Sequence, residues 1–270
     1  MDKEILTLEE AGEAFGVSVK TFIKLLREEK VPARKIGREW RFSRSALINW
    51  LSAGDSQAYS SSEAETKEFF NEVAPIWSEL ISDCYDESIK NKLLKLNILR
   101  KNMTFIDLGS GDGYISRSVA PYVKKVIAVD LSREMLKELN KKAKAEKISN
   151  IETIEGDGCD ISIKDSSVNI VYAGMYLHHI EKLESAVEEM FRILKPGGSV
   201  IITDFYEHDN TELQKEMHDI WPGFSKKRLA ELFDSIGFEK INVTHLIDKK
   251  LKECRNEKNI PEILLLTAEK

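Results

Sequence analysis

The sequence predicts an α/β chain in which a seven-stranded, mostly parallel sheet carries helices on both faces, preceded by a small separate unit of helices and a hairpin. Three observations predict it. From residue 104 onward, short aliphatic and β-branched runs alternate with amphipathic helical stretches, the pattern of parallel strands joined by helical crossovers. A glycine-rich stretch, DLGSGDG at 107–113, follows the first of those strands directly. Ahead of them, residues 52–63 read SAGDSQAYSSSE, serine-rich and poor in large apolar side chains, which marks a linker. The expected units are residues 1–51 and 64–270 on either side of it.

Composition narrows the function classes. Apolar residues make up 42% and charged residues 32% of the 270, as in ordinary globular chains. No apolar run approaches the roughly 20 residues that span a bilayer, and the acidic start MDKEIL does not read as a signal peptide, so a cytoplasmic protein is expected. Cys84, Cys159 and Cys254 are odd in number and contain no CxxC pair, which implies neither a disulfide framework nor a zinc site, and no metal is expected. Charge is uneven along the chain. Residues 17–44 hold nine Lys or Arg against three acids, a local +6, so the overall −6 leaves −12 on the rest.

In the first unit, Thr7 and Glu10 have capping-box spacing ahead of Leu8, Ala11 and Phe15 at helical intervals. A second helix starts at Ser18 and turns Val19, Phe22, Ile23 and Leu26 inward, leaving Lys20, Thr21, Lys24 and Arg27 outside. VPARKIGREWRF reads as a hairpin about Gly37 and Arg38, and Ser43 caps a last helix burying Leu47, Trp50 and Leu51. Over about 47 residues this unit resembles the small winged helix-turn-helix of excisionase-like and mercury-resistance-regulator-like DNA-binding proteins. That resemblance implies a second helix in the major groove, with Lys20, Thr21 and Lys24 toward the nucleic acid and Arg38 and Arg41 on the wing. A homodimer on repeated half-sites follows if binding is specific.

Residues from 64 read as cap helices, with Phe69, Phe70, Val73, Ile76, Trp77, Leu80 and Ile81 on one stripe that Pro75 interrupts. Strands are expected near 104–108, 125–130, 151–155, 168–173 and 199–204, then at FEKINVTHL and PEILLLTAEK, the last antiparallel. Amphipathic helices SREMLKELNKKAKA, LESAVEEMFRIL and KKRLAELFDSIG fall between them. Ligands in such a sheet belong at the carboxyl ends of the strands, where the strand order reverses.

The stretch at 107–113 is a ligand cradle, but not for a dinucleotide. Its glycines, Gly109, Gly111 and Gly113, have GxGxG spacing, and the third glycine of the dinucleotide pattern would fall at Tyr114. Asp107 at the strand tip would repel a pyrophosphate but could pair with an ammonium group. DLGSGDG resembles the first motif of class I S-adenosylmethionine-dependent methyltransferases. Their fold, a Rossmann-like seven-stranded methyltransferase sheet, and their cofactor, S-adenosylmethionine, are then implied. Asp130, at the end of VIAVD, matches the carboxylate on the ribose hydroxyls, and Leu131 packs on the adenine. Asp157 in EGDGCDI matches the acceptor from the adenine amino group, and Gly158 offers its backbone N–H. AGMYLHHI and LKPGGSVIITDF resemble the fourth- and fifth-strand regions of the small-molecule branch.

Methyl transfer to a proton-bearing acceptor needs a base, and His178 and His179 beyond the fourth strand are the candidates, one of them as catalyst or both as loop-positioning residues. The aromatic segment 205–224 is expected to close over the acceptor, with Tyr206, His208, His218, Trp221 and Phe224 in the substrate pocket. The acceptor is a small molecule by this reading. The loop after the fourth strand is AGMY, without the prolines of amino-methylating DNA enzymes, and no Pro-Cys pair serves cytosine C5 chemistry. Two functions remain open: an enzyme on a small metabolite tethered to or regulated through DNA, or a transcriptional regulator whose second unit senses S-adenosylmethionine or another ligand without turnover.

Overall fold

A computed structural model describes residues 3–17, 19, 22, 23, 26, 31–37, 39–53, 63–80, 83–246 and 261–270. The chain divides into two compact units, Met1–Tyr59 and Ser60–Lys270.

In the first unit, helix α1 (Leu8–Ala14) is started by a complete capping box: Thr7 Oγ1 accepts from Glu10 N and the Glu10 carboxylate accepts from Thr7 N. Strands β2 (Arg34–Ile36) and β3 (Glu39–Ser43) form the expected hairpin. A strand not foreseen, β1 (Ile5–Leu6), pairs antiparallel with β3 and completes a three-stranded sheet. Two residues are too short a run to show periodicity. Helix α2 (Arg44–Ala53) follows, its first turn held by Ser43 Oγ accepting from Ala46 N at 3.2 Å. Phe22, Phe42, Leu47, Ala11, Leu6 and Val31 form the core, with Phe15 and Trp50 packed against it. Val19, expected inside, is 37% exposed, because the Phe15, Phe22 and Phe42 rings fill the small core and leave it at the rim.

In the second unit the cap runs through α3 (Glu63–Val73), a 3-10 turn at Ala74–Ile76 carrying Pro75, α4 (Trp77–Leu80) and α5 (Asp83–Lys95). The sheet then forms from β4 (Thr104–Leu108), β5 (Lys125–Asp130), β6 (Ile151–Glu155), β7 (Val168–Gly174), β8 (Leu194–Phe205), β9 (Glu239–His245) and β10 (Ile263–Glu269). Its order is β6-β5-β4-β7-β8-β10-β9. The first five strands are parallel and β10 is antiparallel to both neighbours. The chain builds outward from β4 to β6, then returns to the other side of β4 with β7. That reversal opens a crevice above the ends of β4 and β7. Strand β8 begins five residues earlier than expected, since a register shift between Val168 and Ile170 lets Leu194 pair with Val168 ahead of the turn at Gly197.

Between the strands lie α6 (Tyr114–Val119), α7 (Arg133–Ala145), α8 (Leu183–Ile193), α9 (Thr211–Glu216) and α10 (Lys226–Ile236). Apolar layers cover both faces of the sheet, one from Met190, Ile193, Leu229 and Phe233, the other from Ile89, Leu93, Val119 and Leu246. Gly113, the residue before α6, has φ +82°, and a Cβ there would stand 2.3 Å from Leu139 Cγ. It is required for helix packing. Gly113→Ala should therefore cost about 1–3 kcal/mol of stability through overpacking and backbone strain, read as a lowered urea midpoint with unchanged slope.

Candidate active site

A cavity of about 750 Å³ sits over the carboxyl ends of β4, β5 and β7 and beneath the cap, well within the size range of small-molecule sites. Asp107, Gly109, Gly111, Asp130, Leu131 and Asp157 line it, as do His178 and His179. Gly113 and Gly158 do not: the first packs on Leu139, and the second, at φ +80°, is crossed by the Tyr176 hydroxyl, which a Cβ would meet at 2.1 Å. Both shape the loops at the cavity rim and do not line the cavity itself. Tyr176 donates to the Asp157 carbonyl at 2.5 Å and packs under Gly109, so it joins the first and third strand tips.

The strand-tip carboxyls are held by the backbone. Asp130 Oδ2 accepts from Gly111 N at 2.7 Å and Oδ1 from Ser132 N at 2.8 Å. Asp107 is 2% exposed and accepts from Ser116 Oγ at 2.6 Å. Burial pushes Asp107 up to about 7, against the opposing Ser116 hydrogen bond, and pushes Asp130 up to about 6. Each carboxylate oxygen keeps a second lone pair for a ligand. Asp157 Oδ1 accepts from Cys159 N at 2.9 Å, which closes a tight turn at the cavity wall.

Two contacts fasten the cap over this floor and a third ties it to the segment 205–224. Ser132 Oγ donates to Asn71 Oδ1 at 2.8 Å, Ser78 Oγ to Asp112 Oδ2 at 2.5 Å, and Thr66 Oγ1 to the His218 carbonyl at 3.2 Å. Lys142 also pairs with Asp112 at 2.5 Å. Phe69, Phe70, Val73, Ile76 and Trp77 turn into the cavity. Phe70 meets the Trp77 and His179 rings edge-on at 5.3 and 5.1 Å.

At the opposite end, beyond β7, the two histidines differ sharply. His178 is 2% exposed, with Nδ1 2.7 Å from Asp204 Oδ1 and Nε2 3.6 Å from Asp219 Oδ1. Burial lowers its pKa, but the Asp204 and Asp219 carboxylates outweigh that and push it up to about 9. His179 lies 3.5 Å from the same Asp219 oxygen, and burial beside His178 holds it well below the ordinary histidine value. Asp204 is itself fixed by the backbone N–H groups of Leu177 and Phe205. Neither Asp204 nor Asp219 stands out in the sequence. Asp204 could have been found as the polar residue breaking the apolar run VIITDF at its strand tip, but Asp219 lies forty residues from its histidines.

The segment 205–224 reaches the cavity by other residues than expected. Phe205, Leu213, Glu216, Met217 and Asp219 line it. Tyr206, His208, Trp221 and Phe224 do not. Phe224 N bonds back to the Phe205 carbonyl and His208 N to Pro222, so the segment folds on itself and turns these rings away. Phe224 is fully buried in the sheet core, Trp221 Nε1 donates to the Ile180 carbonyl under Arg228, and Tyr206 stacks on His245 at 4.2 Å. His208 Nδ1 accepts from Asn210 N. His218 packs against Phe69 of the cap.

A family model described as a methyltransferase domain matches residues 106–202, and one described as a helix-turn-helix domain matches residues 5–55. The chain carries a methyltransferase domain behind a helix-turn-helix domain. The methyltransferase domain is 26% identical over 123 residues to an uncharacterized methyltransferase, YcgJ, of Bacillus subtilis, covering 46% of this chain and 49% of that one. It is 26% identical over 186 residues to the demethylmenaquinone methyltransferase of Oceanobacillus iheyensis, covering 57% and 76%. The chain thus spans about half the length of the first of these relatives. Phosphoethanolamine N-methyltransferase 2 of Haemonchus contortus, solved with phosphomonomethylethanolamine and S-adenosylhomocysteine, shares the fold: TM-score 0.61 at 13% identity, over 92% of this chain and 74% of that one.

S-adenosylmethionine, implied by the motif resemblance, fits this donor set. The floor offers carboxyl groups to a nucleoside that bears an ammonium and a sulfonium, and Lys67, the lysine that lines the cavity, comes from the cap and not from the floor loops. Of the DNA-contact residues expected in the helix-turn-helix domain, Lys20, Thr21, Lys24 and Arg38 lie outside the described residues. Arg41 is on β3, paired with Glu39 and donating to the Trp40 carbonyl at 3.0 Å. Among the cysteines, Cys159 packs against the sheet core, and the side chains of Cys84 and Cys254 lie outside the described residues. No helix among the described residues is long and apolar enough to cross a membrane.

The raised carboxyl of Asp107 has a stability signature. Its folded value, about 7, stands above its ordinary 3.8, so it costs stability at high pH and that cost fades as pH falls from about 7 toward 4. Asp107→Asn is expected to raise the urea midpoint of the unliganded protein more at pH 8 than at pH 5. Equal gains at both would show a carboxyl without a raised pKa.

Proposed function

We propose that the chain transfers the methyl group of S-adenosylmethionine to a small molecule and that its helix-turn-helix domain binds DNA. The observation that carries the first part is the convergence of Asp107, Asp130 and Asp157 with Gly109 and Gly111 on one cavity. In this reading Asp130 accepts from the ribose hydroxyls, Asp107 pairs with the ammonium, Asp157 takes the adenine amino group and Leu131 packs on the ring. Bound there, the cofactor supplies an already activated methyl carbon. The remaining work is alignment and exclusion of water, which falls to the cap through Phe69, Phe70 and Trp77. The acceptor lies at the end formed by His178, His179 and Asp219.

A small acceptor is favoured by the apolar character of the cap residues, which Ser78 and Asn71 fasten over the strand tips. The relative named for demethylmenaquinone points the same way. The basic run of residues 17–44 supports DNA contact by the first domain, and binding of that kind weakens with salt. The fusion also favours a second reading, a regulator that binds the cofactor without turnover.

Calorimetric titration with S-adenosylmethionine should give one site per chain. Asp130→Ala, which removes a charged hydrogen-bond acceptor, is expected to weaken it by about 10- to 150-fold. Absence of binding, or an unchanged Asp130→Ala, would contradict the reading. Incubation with methyl-labelled cofactor and a metabolite extract then separates the two functions: label in an acceptor supports the enzyme, and binding without transfer supports the regulator.

A further inference from the structure

The acceptor end of the cavity contains an arrangement that a base alone does not explain. His178, His179 and Asp219 each offer one ligand atom, all within 4.8 Å of one another, in buried surroundings. His179 Nδ1 and both Asp219 oxygens have no hydrogen-bond partner among the described residues, and Asp219 is fully buried. Buried polar atoms left without partners call for an occupant, a water or an ion. We propose that His178 Nε2, His179 Nδ1 and the Asp219 carboxylate hold a divalent first-row transition-metal ion.

Two of the three separations suit one ion, and the third lies within 4.8 Å. Ligands at about 2.0–2.2 Å in a tetrahedron stand roughly 3.3–3.6 Å apart. Asp219 Oδ1 is 3.6 Å from His178 Nε2 and 3.5 Å from His179 Nδ1. The outer shell is in place as well. Metal-bound histidines hand their second ring nitrogen to a carboxylate or a backbone carbonyl. His178 Nδ1 is on Asp204, which two backbone N–H groups hold. The carboxylate's position is fixed through the backbone, where Ile220 N and Trp221 N both donate to the His178 carbonyl at 2.9 Å. Two imidazoles and one carboxylate suit zinc, cobalt or iron rather than magnesium or calcium, which prefer oxygen.

All three residues line the cavity, so three protein ligands leave a coordination position facing the acceptor. The ion's role in methyl transfer rests on the reading above. It binds an acceptor hydroxyl or enol and lowers its pKa. The O–H proton leaves to water, the oxygen forms a bond to the methyl carbon, and the S–C bond breaks with its electron pair on sulfur, giving S-adenosylhomocysteine.

The test uses the full chain, stripped with a chelator and titrated with Co²⁺ as a visible-absorption probe, with Zn²⁺ as competitor. The expected result is one equivalent of Co²⁺ with ligand-field bands, displaced by Zn²⁺. Asp219→Asn and His179→Gln should abolish the bands, Asp204→Asn should weaken Co²⁺ by about 10- to 100-fold, and His245→Gln, at an exposed histidine that does not line the cavity, should change nothing. Circular dichroism and S-adenosylhomocysteine calorimetry on each variant report folding separately. S-adenosylhomocysteine binding without Co²⁺ uptake, or uptake unchanged in folded Asp219→Asn and His179→Gln, overturns the metal site and leaves the methyl-transfer reading standing. Co²⁺ uptake lost in those variants, with no cofactor binding by the wild type, supports the site and removes its proposed role.

Discussion

Two carboxyl groups at adjacent strand tips, Asp107 buried and Asp130 half-buried, set the terms for the rest of the methyltransferase domain. Taking Asp107 and Asp130 out of water disfavours their charged forms, and the fold answers with Ser116, Gly111 N and Ser132 N as donors. Those donors exist only because β4 and β5 lie side by side in parallel register, with Asp107 opposite Ala128 and the glycine loop passing over Asp130. The loop can pass there because its glycines adopt positive φ and tolerate Tyr176 and Leu139 beneath them. A cationic ligand relieves what the donors leave uncompensated, so the same burial that is unfavourable in the empty domain favours S-adenosylmethionine binding.

Most of the sheet was legible in the sequence because strand alternation and strand-tip carboxylates are local signals. DLGSGDG, VIAVD and EGDGCDI each mark the end of a strand with a carboxylate at or just beyond its tip, and the structure brings Asp107, Asp130 and Asp157 to one cavity. What was illegible is what depends on chain reversal. The aromatic residues of 205–224 looked like a pocket lining, but the backbone bonds between Phe205 and Phe224 turn Phe224 and Trp221 into the core and leave Leu213, Met217 and Asp219 at the cavity. Periodicity does not foresee that reversal, since it carries no information on which way a folded-back loop faces. Gly113 shows the same limit on a smaller scale. A glycine in a ligand loop need not touch the ligand, and here a leucine one helix away requires it.

The two ends of the cavity divide the chemistry. One end is made by strand tips and glycines and suits a nucleoside common to many acceptors. The other is assembled from β7's loop, the tip of β8 and the returning segment, and holds His178, His179, Asp204 and Asp219 in a charged cluster beneath an apolar cap. The cap and the returning segment meet there through Thr66 and His218. The helix-turn-helix domain has its own three-stranded sheet and its own aromatic core.

The central claim is that the strand-tip carboxyls bind S-adenosylmethionine in one defined orientation. A crystal structure of the full chain grown with S-adenosylhomocysteine tests it most directly. The account predicts the ribose on Asp130, the amino-acid ammonium beside Asp107, the adenine between Leu131 and Asp157, and the sulfur facing the His178 and Asp219 end. A nucleoside lying the other way round, or density outside the cavity with Asp107 and Asp130 untouched, would contradict it.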